Sequence, residues 1–234
     1  VEVPEYCREI EAYLCRKNDG HLIRVVGPSF DLVSEWAAQG VPLKVACRGI
    51  DRYFDRYYRK GPRRRPVRID FCDADVMDVF DEWRRATGLT SHADTPPSDC
   101  EAELRRGPSL PAHLERVLLR LSSARASGRL GGAFDATLDQ VARELDVARS
   151  DARGLRGTAR QALVDRLAAL DRDLLQSARA ILDDEGRSTL VREAEGELAA
   201  FRSGMNDDVF ARAREAAIDH LVRERFGLPT IAFP

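Results

Sequence analysis

The sequence predicts a mainly α fold in which a small α+β amino-terminal domain precedes an antiparallel helical bundle. Three observations predict it. Apolar residues recur at helical spacing through most of the 234 residues, and glycine or proline stops the runs. Two short runs before residue 72 are β-branched or alternate instead. Residues 88–111 have no periodicity and contain Pro96-Pro97 and Gly107-Pro108. The expected division is therefore a domain over 1–88, a linker over 89–111 and a bundle over 112–234 that ends in an apolar tail.

The first helix runs from Pro4 to about Lys17, with Tyr6, Cys7, Ile10, Tyr13 and Leu14 on one face, and stops at Asn18-Asp19-Gly20. "HLIRVV", between Gly20 and Gly27-Pro28, predicts a strand. Ser29 is placed to cap a second helix that buries Phe30, Val33, Trp36 and Ala37 and ends at Gly40. Pro42 suits the first turn of a third helix, whose stripe is Leu43, Ala46, Cys47, Ile50, Phe54 and Tyr57. After Gly61-Pro62, Val67, Ile69 and Phe71 alternate with Arg68 and Asp70, the period of a half-buried strand. Asp73 then caps a helix carrying Val76, Val79, Phe80 and Trp83.

Beyond the linker, which has room for a short helical turn around Cys100–Arg105, five amphipathic runs follow. Their markers are Leu114–Leu121, Phe134–Leu145, Leu163–Ile181, Leu190–Phe201 and Val209–Val222, with Gly128 and Gly186 as stops. Short connections between such helices imply antiparallel packing. The spacing over 163–181 also fits a seam between two chains, which would make the bundle a self-association surface.

Charge is segregated although the net formal charge is −2. Residues 40–70 hold ten Lys/Arg against three acids, and residues 71–103 hold two Arg against nine acids. Lys44, Arg48, Arg52, Arg56 and Lys60 recur every fourth position. On a helix that row drifts by about 40° per step, so any three neighbours share a face but all five do not. Asp51 and Asp55 dilute it. The following connection has no acid between 56 and 69 and holds Arg59, Lys60, Arg63, Arg64, Arg65 and Arg68. Local pairing does not neutralise such a cluster, whereas phosphates would. The block therefore admits three uses: nucleic-acid contact, docking on an acidic protein, or an ordinary solvated face. Tyr53, Tyr57 and Tyr58 interleave with the charges, Tyr53 and Tyr57 being better placed for the core.

Two helices joined by a glycine-containing turn, over 29–59, form a helix-turn-helix pattern, and a strand on either side of it resembles the winged-helix arrangement. The pattern, over residues 4–88, is also loosely similar to the amino-terminal domains of bacterial primosome and replication-initiation proteins. The resemblance implies duplex DNA as partner, in transcription regulation or replication initiation. The second helix would enter the major groove, bringing Lys44 and Arg48 nearest the bases, with Arg52 and Arg56 behind them and Arg63–Arg65 as a phosphate-binding wing. The rival reading is a protein-interaction adaptor that uses the basic and acidic faces without nucleic acid.

No catalytic motif is present. "GGAFD" and "GLRGTAR" lack the Gly-Lys-Ser/Thr ending of a phosphate loop, and His21, His92, His113 and His220 form no triad or ligand spacing. Cys7, Cys15, Cys47, Cys72 and Cys100 contain no C-x-x-C pair. They read as small buried hydrophobes rather than metal ligands, so no cofactor or metal is expected. Their odd number, no apolar run of membrane-spanning length and no signal-peptide pattern point to a cytoplasmic protein without membrane partners. The carboxy-terminal "LPTIAFP" has two possible roles, folding back on the bundle or docking in a partner's groove.

Overall fold

The structure, a computed structural model, describes residues 3–59, 66–89, 109–152 and 154–233. The chain forms two compact units, Val1–Thr90 with Glu193–Ala216, and Ser91–Arg192 with Ala217–Pro234. Residues 193–216, expected in the second domain, thus count with the first. The described residues are mainly helical: α1 (Val3–Lys17), α2 (Pro28–Ala38), α3 (Leu43–Tyr58), α4 (Asp73–Ala86), α5 (Leu110–Ala126), α6 (Asp135–Asp151), α7 (Gly157–Ala180), α8 (Asp184–Leu198) and α9 (Asp207–Phe226). None of them is long and apolar enough to cross a membrane.

In the first unit, α1, α2, α3 and α4 enclose Ile10, Leu14, Val33, Trp36, Ile50, Val76 and Trp83, each at most 1% exposed. Gly40 takes the left-handed conformation that ends α2, with φ of 79°. Two expected caps act differently. Ser29 lies inside α2, whose N-cap is Gly27, and its hydroxyl donates to Asp70 Oδ1 at 2.8 Å. Asp73 is the first helical residue of α4, and its carboxylate accepts from Trp36 Nε1 at 2.8 Å. Phe201, in a 3₁₀ segment after α8 (Ala199–Gly204), stacks against Phe80 with centroids 6.4 Å apart.

The expected strands are corrected. Among the described residues there is no strand, so the α+β amino-terminal part of the predicted fold is absent and the unit is helical. Residues 21–26 carry strand-forming side chains but pair with no neighbour. Leu22 and Val26 are 74% and 62% exposed, and side chains satisfy the backbone instead. Cys15 Sγ accepts from Ile23 N at 3.3 Å, and Glu11 Oε2 accepts from Val25 N at 2.7 Å. At the second site, Asn18 replaces a ladder. Its Oδ1 accepts from Val67 N at 2.7 Å and its Nδ2 donates to Val67 O at 3.0 Å. Ile69–Phe71 then turns as a 3₁₀ helix, which breaks the alternation: Val67 and Ile69 are buried while Phe71 is 58% exposed.

In the second unit, α5, α6 and α7 pack through Leu114, Leu121, Leu138, Leu145, Leu167 and Leu174. Gly186 does not stop α7. That helix ends at Ala180, and Gly186 lies in the first turn of α8, where its N–H donates to Asp183 Oδ1 at 2.8 Å. The carboxy-terminal tail is seated within this unit. Ile231 is fully buried, its N–H donating to Asp171 Oδ1 at 2.6 Å and its carbonyl meeting His113 Nε2 at 3.0 Å. Of the two roles considered for the tail, the structure has it folded back.

Candidate nucleic-acid interface

Helix α3 carries the predicted basic row, and its seating on α4 decides what that row faces. The buried residues of α3 are Val45, Ala46, Gly49, Ile50 and Phe54, while Leu43, Cys47 and Tyr57 are half-buried. The buried face is therefore rotated toward Val45 and Gly49 from the stripe that spacing alone suggests. Gly49 permits this, because the α4 backbone comes up against it at Val76. The acidic helix and the basic helix lie side by side as a result.

The described residues of the row are consequently paired rather than open. Lys44 Nζ lies 2.9 Å from Glu193 Oε2, and Arg48 Nη2 lies 3.8 Å from Glu197 Oε1. Arg52 meets Glu82 at 2.8 Å and Asp75 at 3.9 Å. Arg56 Nη2 reaches Asp75 Oδ2 at 2.6 Å. Asp75 and Glu197 are buried, and Glu197 also accepts from Trp83 Nε1 at 2.8 Å. The hydrogen bond to Glu82 raises the Arg52 pKa further above its ordinary value. Arg48 is half-buried, its side chain only 22% exposed. From the neighbouring acidic block, Asp75 and Glu82 answer Arg52 and Arg56, while Lys44 and Arg48 are answered from α8.

The other end of α3 differs. Arg59 is exposed at the helix C-cap. With Arg16, Lys17, Phe54, Asp55 and Tyr58 it lines an open depression of about 700 Å³. Lys17 is paired with Asp51 at 2.8 Å, and Tyr13 donates to the same carboxylate. Arg68 is two-thirds exposed and bonds Asp70 at 2.6 Å. Lys60, Arg63, Arg64 and Arg65 lie outside the described residues, as do Cys100 and the turn expected around it. The sequence reading missed Arg16 and Lys17, because their approach to Arg59 depends on α1 packing against α3.

Aromatic rings adjoin this end. Tyr53 and Tyr57, one helical turn apart, stack with centroids 5.8 Å apart and planes at 24°. Phe71 continues the stack on Tyr53 at 6.4 Å and 13°. Arg56 sits over the Tyr53 ring at 5.5 Å, and Tyr58 meets Tyr57 edge-on. Tyr53 and Tyr57 are half-buried, short of the core position expected of them, and Tyr58 is 45% exposed. Burial raises the Tyr53 phenol above its ordinary value, so the ring is neutral at physiological pH.

Of the described cysteines, Cys7 and Cys72 are buried and Cys15 and Cys47 half-buried. Burial pushes the Cys47 thiol up to about 11 and the Cys72 thiol up to about 12. Among the described residues no group of three or more His, Cys, Asp or Glu side chains is arranged to hold a metal ion. Compared with protein-family models, curated proteins and solved structures, the chain has no significant match in any of the three.

Proposed function

We propose that this protein binds DNA through the carboxy-terminal end of α3, by phosphate contacts that do not depend on sequence. The observation that carries the reading is the convergence of Arg16, Lys17 and Arg59, against one lining acid, Asp55, on one open depression, next in the chain to a stretch without acids. Residues 59–68 contribute six Lys/Arg. A helix C-terminus carries about half a negative charge, which that many cations exceed. Guanidinium and ammonium groups that neutralise phosphates release counterions, and this term supplies most sequence-independent affinity. Base reading by the amino-terminal end of α3 is less well supported, since Lys44 and Arg48 already face Glu193 and Glu197.

The test is a salt titration of binding to mixed-sequence DNA by fluorescence anisotropy. Each lost phosphate contact lowers the slope of log K against log salt by about 0.7–0.9. Changing Arg63, Arg64 and Arg65 together to Ala is expected to reduce the slope by about 2–3. Lys44→Ala is expected to leave it unchanged. Absence of DNA binding by the unaltered protein at low salt would sink the proposal and favour the adaptor reading.

A further inference from the structure

We infer that Phe71 and the tyrosines behind it form a stacking platform for unpaired nucleobases, so that the DNA taken by this protein is single-stranded. The inference rests on the DNA-binding reading above and names the form of nucleic acid. Its basis is an arrangement that the phosphate contacts do not use. Phe71, Tyr53 and Tyr57 form a continuous near-parallel stack whose terminal ring, Phe71, is 58% exposed. Val67 and Ile69, on the same short segment, are 2% and 1% exposed, so the segment is anchored while its aromatic residue stands in solvent.

An exposed phenylalanine held parallel to two tyrosines is a flat apolar face with little conformational freedom to lose on binding. Cations rim it. Arg56 covers the Tyr53 ring while pairing with Asp75, and Arg68, paired with Asp70 but 67% exposed, lies three residues before Phe71. Aromatic faces beside a positively charged track are how proteins hold single strands without sequence preference, because every base offers a π-face. In a duplex those faces are stacked on one another and closed to the protein. Asp70 bonds Arg68 and Ser29, which leaves one carboxylate near the platform already engaged. A proline-rich peptide, which also docks on aromatic surfaces, is the competing occupant; the arginine rim favours the polyanion.

The experiment uses the full chain, a labelled oligo(dT) of about 15 nucleotides, a duplex of equal length and a proline-rich peptide. The unaltered protein is expected to bind the single strand at least tenfold more tightly than the duplex. Phe71→Ala is expected to weaken single-strand binding about tenfold while the salt slope, duplex affinity and circular dichroism stay unchanged. Phe71→Trp should restore binding, whereas Phe71→Leu, apolar but without a π-face, should not. Single-strand affinity within twofold of the unaltered protein in Phe71→Ala would overturn the platform and leave the phosphate reading standing. A preference for duplex, or peptide binding that alone responds to Phe71, would overturn it equally. Failure to bind either form of DNA would remove both proposals.

Discussion

Gly49 of α3 lies so near Val76 of α4 that a Cβ at position 49 would stand 2.4 Å from the Val76 Cα and 2.7 Å from its Cγ2. No side-chain rotation relieves a clash with backbone, so the helices would have to separate. Gly49→Ala gains about 1 kcal/mol of helix propensity, yet overpacking costs about 1–3 kcal/mol and more where backbone must move. A net loss of stability is expected in urea unfolding. An unchanged midpoint would show that α4 is not seated on α3 in this way.

That close approach also explains what was and was not legible in the sequence. The helices of the first unit follow from spacing and from stops such as Gly40, because those signals are local. The basic row was legible as a row, but its partners were not. Spacing identifies neighbours on one helix, whereas Asp75, Glu82, Glu193 and Glu197 come from α4 and α8. The strands failed for a related reason. Extended segments need a partner, and here side chains supply it: Asn18 bonds both backbone groups of Val67. Period-two spacing also placed Phe71 with Val67 and Ile69, and the 3₁₀ turn that parts them has no signature in "RIDF".

Glu197 joins two helices' polar groups in a buried setting, accepting from Trp83 Nε1 at 2.8 Å and facing Arg48. Glu197→Ala removes the acceptor and leaves the guanidinium without this counter-charge. Breaking such a buried pair typically costs about 3–5 kcal/mol. Glu197→Gln keeps an acceptor for Trp83 and should cost less. Urea midpoints rank the variants, and indole emission reports the change around Trp83. Equal stability of Ala and Gln variants would mean that the Trp83 hydrogen bond contributes nothing measurable.

Alkaline sensitivity follows from two thiols, buried Cys72 and half-buried Cys47. Burial first, then Asp75 and Asp70, raises Cys72 from 9.0 to about 12, and burial followed by Asp51 raises Cys47 from 9.0 to about 11. The unfolded chain releases these protons near pH 9 while the folded chain retains them. The unfolded state thus binds fewer protons above that pH, and stability falls as pH rises. Below the unfolded value the contribution is fully present. Denaturant midpoints should be level on this account up to about pH 8 and decline between about pH 9 and 10, ahead of the tyrosines. Changing Cys47 and Cys72 together to Ala lowers stability at neutral pH but should flatten that decline. A slope unchanged in the double variant would exclude the thiols as its source.

Asp171 holds the carboxy-terminal tail directly at Ile231 and, through Arg223 of α9, at Pro229, and the tail in turn completes the core of the second unit. Its Oδ1 accepts from Ile231 N and its Oδ2 from Arg223 Nη2, both at 2.6 Å. Arg223 Nη1 donates to Pro229 O at 2.7 Å. The pair is nearly buried, at 10% and 14% side-chain exposure, so neither charge has much water to fall back on. Asp171→Ala is expected to cost about 3–5 kcal/mol. Ile231→Ala, which truncates a fully buried side chain, should cost about 2–5 kcal/mol through the cavity it leaves. The two changes act on one element, so their effects should fall short of additive. Hydrogen exchange separates the causes: Asp171→Ala should expose the Ile231 amide directly, while Ile231→Ala retains that hydrogen bond and loosens the tail only through lost packing. If removing residues 231–234 left the unfolding midpoint unchanged, the tail would not belong to the core, and the Asp171–Arg223 pair would need another reason to be buried.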